Sequence, residues 1–259
     1  MKSLLFVPGE PKMMRKISEI HGDAFILDLE DSVNEADKQQ ALTDVCDFLA
    51  SGPDKKIYIR VAENHLEEEF RQLSAYRFQG YMIPKFEKPE DYTEYQKYFA
   101  DREVIALVET PLGIVNLREI ASCPFVTMIA FGAEDYTSAI GMKNCAETLQ
   151  YARGAIVTFG KAFHKAVYDT PSFVIDDTAA LEQEIQTAVD MGFDGKLSIH
   201  PAQVERINSQ FQYYDLDSMR RIVAEYEKKG AAVLRVDDKV YEKMHIAHFK
   251  RILKEHGIN

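Results

Sequence analysis

Short apolar runs recur along the chain and alternate with longer segments in which apolar residues have helical spacing. The runs are typical of strands that are buried on both faces, as in a parallel sheet. They predict eight β-strands, at residues 3–7, 24–29, 56–61, 81–84, 104–108, 128–131, 166–168 and 197–199.

The segments between the predicted strands favour helices. Leu42, Val45 and Leu49 fall on one helical face after the second strand. Leu181 and Ile185 share a face in the segment before the eighth strand. A strand followed by a helix, eight times over, predicts an α/β fold, a (β/α)8 TIM barrel. A doubly wound open sheet stays a competing interpretation, because a count of strands does not show whether the sheet closes.

The helical pattern continues beyond the eighth predicted strand, where Met219, Ile222 and Tyr226 fall on one face. No change of composition and no Gly/Ser-rich linker separates this region from the rest of the chain. We therefore expect a barrel domain at residues 1–208 and a C-terminal helical extension at residues 209–259. The extension is expected to pack on the barrel or on a neighbouring subunit.

Composition and charge narrow the possible functions. The 259 residues suffice for one barrel, and 42 acidic against 31 basic residues give a net charge of −11. This charge disfavours binding to nucleic acid or to an anionic membrane, because both need a basic face. No apolar stretch approaches the ~18 residues of a membrane span, and Cys46, Cys123 and Cys145 have no CxxC spacing. The sequence therefore predicts a cytoplasmic protein without a nucleic-acid or membrane partner.

Several of the predicted strands end at charged residues. In a parallel barrel, the carboxyl ends of the strands meet at one mouth, which holds the active site. Carboxylates that are crowded at one mouth repel one another unless a cation or a proton lies between them. The charged residues at or just beyond these strand ends are Asp28, Glu30, Asp31, Arg60, Lys85, Glu109, Glu134, Asp135, Asp169 and His200.

The expected cation is Mg²⁺, which is usually held by a few protein oxygens while water or substrate completes an octahedron. Glu109 and Asp135 follow neighbouring predicted strands and are the natural pair of ligands. Arg60 presents a planar fork that suits a carboxylate. A metal and an arginine together can hold a 2-oxo acid and stabilise negative charge on oxygen while a carbon–carbon bond breaks.

Five motifs carry a resemblance to a known family. They are SLLFVPG at residues 3–9, ILDLEDSV at 26–33, IALVET at 105–110, FGAED at 131–135 and GFDGKLSIHPAQ at 192–203. In this order, the motifs resemble the citrate lyase β-subunit-like proteins of the HpcH/HpaI aldolase superfamily. The resemblance covers most of the chain, up to about residue 208.

The resemblance implies a Mg²⁺-dependent carbon–carbon lyase built as a homotrimer or hexamer of TIM barrels. Such an enzyme cleaves a 2-hydroxyacyl thioester, such as a citryl, malyl or citramalyl thioester, into an acyl thioester and a 2-oxo acid. The thiol is CoA or the arm of a carrier protein. The reverse condensation uses the same groups.

The resemblance also implies a role for individual residues. Glu109 and Asp135 match the metal ligands, and Arg60 matches the group that grips the carboxylate of the oxo acid. Glu30 and Asp31 match residues that orient metal-bound water. Lys85 lies at the matching Pro-Lys and is expected to contact the substrate or an acidic neighbour.

The chain departs from the family pattern in four places. Lys2, Leu42 and Ala62 replace Arg, Arg and Asn, and residues 242–244 (EKM) replace an Asp-x-Pro that serves the active site of a neighbouring subunit. Glu242 is therefore the candidate general acid from that subunit. The departures leave two alternatives open, a CoA-independent 2-oxo-acid aldolase and a non-catalytic metal-binding assembly subunit.

Other charged and aromatic residues have structural interpretations. Lys196 is expected to pair with a buried acid, and the acidic run at residues 67–69 predicts a solvated face. Phe6 and Phe173 are expected to pack within the barrel.

Overall fold

The computed structural model describes residues 1–211, 215–230, 232–236 and 238–258. It contains a closed barrel of eight parallel strands in chain order. The barrel closes where the first strand pairs with the eighth, with Ser3 opposite Lys196. The prediction of a (β/α)8 barrel is confirmed, and closure excludes the open sheet. The strands are β1 (Ser3–Pro8), β2 (Ala24–Asp28), β3 (Ile57–Arg60), β4 (Gly80–Ile83), β5 (Glu103–Val108), β6 (Met128–Phe131), β7 (Ala166–Asp169) and β8 (Gly195–Ser198).

Helical segments follow the strands. The α-helices of the barrel region are α1 (Pro11–Met14), α2 (Lys38–Ala50), α3 (Leu66–Leu73), α4 (Pro111–Val115), α5 (Leu117–Ser122), α6 (Ala133–Ile140), α7 (Ala146–Ala162), α8 (Thr178–Met191) and α9 (Pro201–Gln210). Segments of 3₁₀-helix lie at Arg15–Glu19, Glu35–Asp37, Glu63–His65 and Pro89–Tyr98. The connection from β4 to β5 is therefore helical in the 3₁₀ form alone. Among the described residues, no helix has the length and apolar character needed to cross a membrane.

The side chains of the barrel strands alternate between two apolar layers. Leu4, Ile26 and Ile105 belong to the layer that fills the barrel interior, whereas Phe25 and Val104 pack in the layer between the barrel and the helices. This period of two extends to the carboxyl ends of the strands. The charged residues that follow an inward-facing residue by two positions are therefore directed into the mouth of the barrel.

The same alternation directs Asp169 away from the mouth, because its neighbour Tyr168 belongs to the interior layer. Lys196 Nζ donates to Asp169 Oδ2 at 2.7 Å, and the guanidinium of Arg153 donates to both carboxylate oxygens at 2.8 and 3.2 Å. Burial raises the pKa of Asp169, but the two cations outweigh this effect and hold it below its usual range. The expected pairing of Lys196 with a buried acid is confirmed, whereas the placement of Asp169 at the mouth is wrong.

The chain divides into two compact units, Met1–Phe211 and Gln212–Asn259. The second unit contains the helices α10 (Leu216–Lys229) and α11 (Lys243–Glu255). In addition it has an antiparallel pair of strands, β9 (Val233–Val236) and β10 (Lys239–Glu242). Sequence patterns gave no sign of this pair, because most of its side chains are exposed and no buried apolar run marks it. The packing of this unit on the barrel or on another subunit stays a prediction.

Candidate active site

A cavity of about 540 Å³ opens at the carboxyl ends of the barrel strands. It brings together four of the predicted site residues, Asp31, Arg60, Glu109 and Asp135. Glu30 and Lys85 line an adjoining cavity of about 320 Å³ that shares Asp31 with the larger one. The larger cavity has a charged wall and an apolar wall, and the apolar wall is formed by Phe6, Pro171, Phe173, Leu197 and Ile199.

The centre of the charged wall is a buried ion pair between neighbouring strands. Asp28 ends β2 and lies opposite Arg60 in the register of β3. Arg60 Nε and Nη2 each donate to one carboxylate oxygen of Asp28 at 2.7 Å. The backbone N–H groups of Glu30 and Ser32 donate to the same carboxylate at 2.9 and 3.0 Å. Burial raises the pKa of Asp28, but Arg60 and these donors outweigh burial and hold it below its usual range.

Asp28 was expected at the mouth but was given no role in the site, although two features point to one. Its position two residues after the inward-facing Ile26 places its side chain in the mouth. The parallel register then sets it beside Arg60. A buried arginine needs a buried acid as its partner, and Asp28 supplies that acid.

Two further carboxylates contact the same guanidinium. Asp31 Oδ2 lies 2.8 Å from Arg60 Nη1, and the side chain of Asp31 is 65% exposed. Glu30 Oε2 lies 3.2 Å from the same nitrogen, although its geometry there makes no hydrogen bond and the atom is buried. Burial, together with the charges of Asp31 and Asp28, raises the pKa of Glu30 to about 7 against the pull of Arg60 and Lys85. Glu30 can therefore hold or release a proton near neutral pH.

Glu109 follows β5 and is buried, with 3% of its surface exposed. Its Oε1 accepts a hydrogen bond from the backbone N–H of Lys85 at 2.8 Å. Lys85 holds this position with a φ of 44°, a left-handed conformation that costs a non-glycine residue roughly 1 kcal/mol. Burial raises the pKa of Glu109 to about 8, and the charges of Glu30 and Asp135 add to the rise.

Gly132 leaves the space that Glu109 occupies. A Cβ atom at position 132 would lie 2.5 Å from Glu109 Oε2 and 2.6 Å from Glu109 Cβ. Any other residue at this position would therefore displace the carboxylate. Asp135 lies three positions further on, in the first turn of α6, where its exposed side chain lines the cavity.

The residues around the cavity fit a divalent cation. Five carboxylates line it, and Arg60 is the one basic side chain among its described lining residues. Within the described ranges, no three His, Cys, Asp or Glu side chains form a complete metal-binding group. Mg²⁺ needs no such group, because one or two carboxylates with several waters suffice. Two carboxylates completed by water or substrate therefore match the donors present.

Lys85, Glu242 and His200 are not among the residues that line the larger cavity. Lys85 Nζ contacts Glu63 at 3.0 Å and Glu30 at 3.9 Å, which agrees with its expected contact to an acidic neighbour. Glu242 belongs to the C-terminal unit, where it precedes α11 and its N–H donates to His245 Nδ1 at 3.0 Å. His200 caps α9, since its Nδ1 accepts from the Ala202 N–H at 3.2 Å.

One of two expectations about aromatic residues changes. Phe6 packs against the interior layer of the barrel, as expected, and also lines the cavity, where its ring centre lies 4.9 Å from the guanidinium of Arg60. Phe173 is 57% exposed and lines the cavity instead of packing within the barrel. Lys38 donates through Nζ to the carbonyls of Leu29 and Glu30 at 2.7 and 2.5 Å. Lys38 thereby fixes the loop that carries the acidic residues after β2.

The acidic run at residues 67–69 is not solvated throughout. Glu69 is 2% exposed, because it faces back toward β3 and accepts the backbone N–H of Ala62 at 2.9 Å. Burial raises the pKa of Glu69 to about 8, and the charges of Glu30 and Asp28 contribute to the rise. The expectation of a solvated face is wrong for Glu69, whereas Glu67 and Glu68 are exposed.

Glu69→Gln is expected to flatten the pH dependence of stability between about pH 5 and 8. The pKa of Glu69 rises from 4.5 to about 8 on folding, so the folded chain binds this proton more tightly. The stabilisation is complete below pH 4.5 and is lost as the pH rises through about 8. Removal of the group should lower the slope by up to about 1.4 kcal/mol per pH unit. Urea unfolding at several pH values measures the slope.

The control for this measurement is Glu68→Gln, which removes the same charge from the exposed side of α3. A Glu69→Gln protein whose slope equals that of the wild type would contradict the burial of a protonated carboxyl at this position.

Known proteins are similar to this chain in sequence and fold. The family model described as HpcH/HpaI aldolase/citrate lyase matches residues 2–201. A (3S)-malyl-CoA thioesterase of Cereibacter sphaeroides is 28% identical over 97% of this chain and 93% of its own length. The mitochondrial citramalyl-CoA lyase of Homo sapiens is 30% identical over 81% of this chain and 70% of its own length.

A solved structure resembles the whole chain. It is CitE from Mycobacterium tuberculosis in complex with magnesium, acetoacetate and coenzyme A, at a TM-score of 0.85 and 26% identity. The match covers 99% of this chain and 98% of that chain.

Proposed function

Because the chain belongs to the HpcH/HpaI aldolase/citrate lyase family, we propose that it is a Mg²⁺-dependent lyase of 2-hydroxyacyl thioesters. The reaction cleaves or forms a carbon–carbon bond between an acyl thioester, of CoA or of a carrier protein, and a 2-oxo acid. The observation that carries the proposal is the cavity at the carboxyl ends of the strands, which five carboxylates and Arg60 line together. The relatives named citramalyl-CoA lyase and malyl-CoA thioesterase support the substrate class.

Arg60 binds the carboxylate of the oxo acid in this proposal. Asp28 is buried and holds the guanidinium through two hydrogen bonds, so we expect this ion pair to persist when substrate binds. Asp31 is the exposed partner of Nη1 and can give way to a substrate carboxylate without disturbing Asp28. The planar fork then orients the 2-oxo acid or the 2-hydroxy acid beside Glu109.

In this proposal Glu109 and Asp135 would hold Mg²⁺, which needs only one or two carboxylates from the protein. When bound, Mg²⁺ supplies a positive charge that stabilises the negative oxygen formed as the carbon–carbon bond breaks. Glu109 must give up its proton to serve as a ligand, and Lys85 N–H then stabilises the carboxylate through its hydrogen bond. Oε2 of Glu30 lies 3.2 Å from Arg60 Nη1 without a hydrogen bond and can accept one from a water at the site.

Proton transfer needs a base for the hydroxyl of the substrate and an acid for the enolate of the acyl product. Glu30, whose pKa is about 7, is suited to hold a proton close to Arg60 and Lys85. Lys85 lines the adjoining cavity, where its side chain is 43% exposed, and is proposed to contact the substrate. Glu242 is proposed as the acid that a neighbouring subunit contributes, which its exposed position before α11 permits.

The test is turnover of malyl-, citramalyl- and citryl-CoA with and without Mg²⁺, in which the 2-oxo acid and the free thiol are measured separately. We expect Mg²⁺-dependent release of a 2-oxo acid from at least one thioester. Thiol release without oxo acid would show hydrolysis instead of carbon–carbon cleavage. Cleavage of free 2-hydroxy acids that ignores CoA would favour the aldolase. Binding of Mg²⁺ and oxo acid without turnover of any thioester would favour the non-catalytic subunit.

We propose further that the protein acts in the cytoplasm as a homotrimer or hexamer. The free cysteines Cys46, Cys123 and Cys145 agree with a reducing compartment. The exposed side chains of Val115 and Tyr151 offer apolar surface that a subunit interface would cover. Light scattering of the purified protein gives the number of subunits.

A further inference from the structure

The first turn of α6 carries Asp135, and a residue that follows a neighbouring strand holds this turn in place. Gly132, which precedes the helix, has no side chain with which to cap it. Thr170 follows β7 and accepts a hydrogen bond through Oγ1 from the N–H of Ala133 at 3.1 Å. A Ser or Thr at the N-cap usually supplies such an oxygen to the N–H of the second or third helical residue. Here the oxygen comes from outside the helix and accepts from the N–H of the first helical residue.

The cap must come from outside the helix because of Glu109. A side chain at position 132 would need a Cβ atom only 2.6 Å from Glu109 Cβ. A local Ser, Thr or Asp cap is therefore incompatible with the Glu109 carboxylate in its present place. The site needs both a carboxylate at 109 and a fixed helix start at 133, and Thr170 meets both needs from the neighbouring strand.

Buried contacts hold Thr170 in turn. Thr170 is 4% exposed, and its side chain lines the cavity. Its carbonyl oxygen accepts from Lys196 Nζ at 2.6 Å, and the same ammonium group binds Asp169 at 2.7 Å. Arg153 completes this cluster by its two contacts to Asp169. Lys196, Asp169 and Arg153 thus hold Thr170 in place, and Thr170 in turn holds the first turn of α6.

We propose that Thr170 is a positioning residue that sets the first turn of α6, and with it Asp135, for binding of Mg²⁺. This inference rests on the proposed role of Asp135 as a metal ligand. Without the hydroxyl, the N–H of the fully buried Ala133 would lose its partner, and the first turn would move to find another. The expected consequence is a misplaced carboxylate in an otherwise intact barrel.

Thr170→Val and Thr170→Ser test the proposal. Valine keeps the volume of threonine but removes the acceptor, whereas serine keeps the acceptor. Isothermal titration of the purified protein with Mg²⁺ should show affinity at least about tenfold weaker for Thr170→Val. Thr170→Ser should stay within about twofold of the wild type. Thermal unfolding without metal is measured on the same samples, and Thr170→Ala replaces Thr170→Val if the latter does not fold.

Each outcome supports or overturns the proposal. Weakened Mg²⁺ binding in Thr170→Val, with recovery in Thr170→Ser, supports it. A lower melting temperature with unchanged Mg²⁺ affinity would show a purely structural cap and overturn it. Asp135→Asn, measured in parallel, tests the metal assignment of Asp135 separately from the positioning role of Thr170. If Asp135→Asn binds Mg²⁺ as the wild type does, the metal assignment fails and the positioning role with it. If Asp135→Asn loses binding and Thr170→Val does not, the positioning role alone fails.

Discussion

Asp135→Asn is expected to weaken Mg²⁺ binding at least about 100-fold, since even the hydrogen-bond partners of metal ligands change affinity by roughly 10–100-fold. The substitution keeps the size of the side chain and exchanges a carboxylate for an amide, which is a poorer ligand for a hard cation. Asp135 is exposed to the cavity in the first turn of α6 and has no part in the apolar core. The melting temperature without metal should therefore stay close to that of the wild type.

Titration calorimetry with Mg²⁺ measures this effect, and Glu134→Gln is the matched control. Glu134 precedes Asp135, lines the same cavity and accepts a hydrogen bond from Asn144. Glu134 carries the same charge as Asp135, but the family resemblance implies no metal contact for Glu134. If Glu134→Gln lost Mg²⁺ binding while Asp135→Asn kept it, the choice of ligand would be wrong by one residue.

Arg60→Met is expected to abolish binding of 2-oxo acids and to lower the free energy of unfolding by about 3–5 kcal/mol. The loss of binding follows from removal of the fork that receives the carboxylate. The loss of stability follows from Asp28, whose side chain is 4% exposed and would stay buried without a counter-charge. Binding of acyl-CoA, which has no 2-oxo carboxylate, should weaken less than binding of the oxo acid.

A second substitution separates these two effects. In the double variant Asp28→Asn/Arg60→Met, no uncompensated carboxylate is left at position 28, so much of the stability should return. Binding of the 2-oxo acid should not return, because the fork is still missing. Recovery of binding together with stability would mean that Arg60 serves the fold and not the substrate.

The eight strands of the barrel were predictable because each is an apolar run, and burial on both faces leaves that trace in the sequence. The direction of each polar side chain is a finer matter. Asp28 and Asp169 both end strands, yet the first faces the mouth and the second the helices, as the period of two requires. Alternate residues of a strand face the same side. Counted from the inward-facing Ile26 and Tyr168, this alternation directs Asp28 into the mouth and Asp169 away from it.

Other contacts depend on folding of distant segments and leave no local trace. The ammonium group of Lys38 reaches the carbonyls of Leu29 and Glu30 because α2 begins beneath their loop. Glu69 is buried because it meets the N–H of Ala62, although Glu67 and Glu68 beside it are exposed. A run of three acids looks uniform in sequence, and only the rotation of the helix distinguishes its members.

The two walls of the cavity differ in how freely a lineage can alter them. The charged wall is interlocked, since Gly132 admits no side chain beside Glu109 and Asp28 cannot change without Arg60. On the apolar wall, Phe173 is 57% exposed, so its side chain can change at little cost to the packing of the barrel. A methylene added or removed there shifts substrate preference by roughly 1–3 kcal/mol. If the acyl group of the proposed thioester lies against this wall, a change at Phe173 would alter the acyl group that is accepted and would leave Asp28, Arg60 and Glu109 in place.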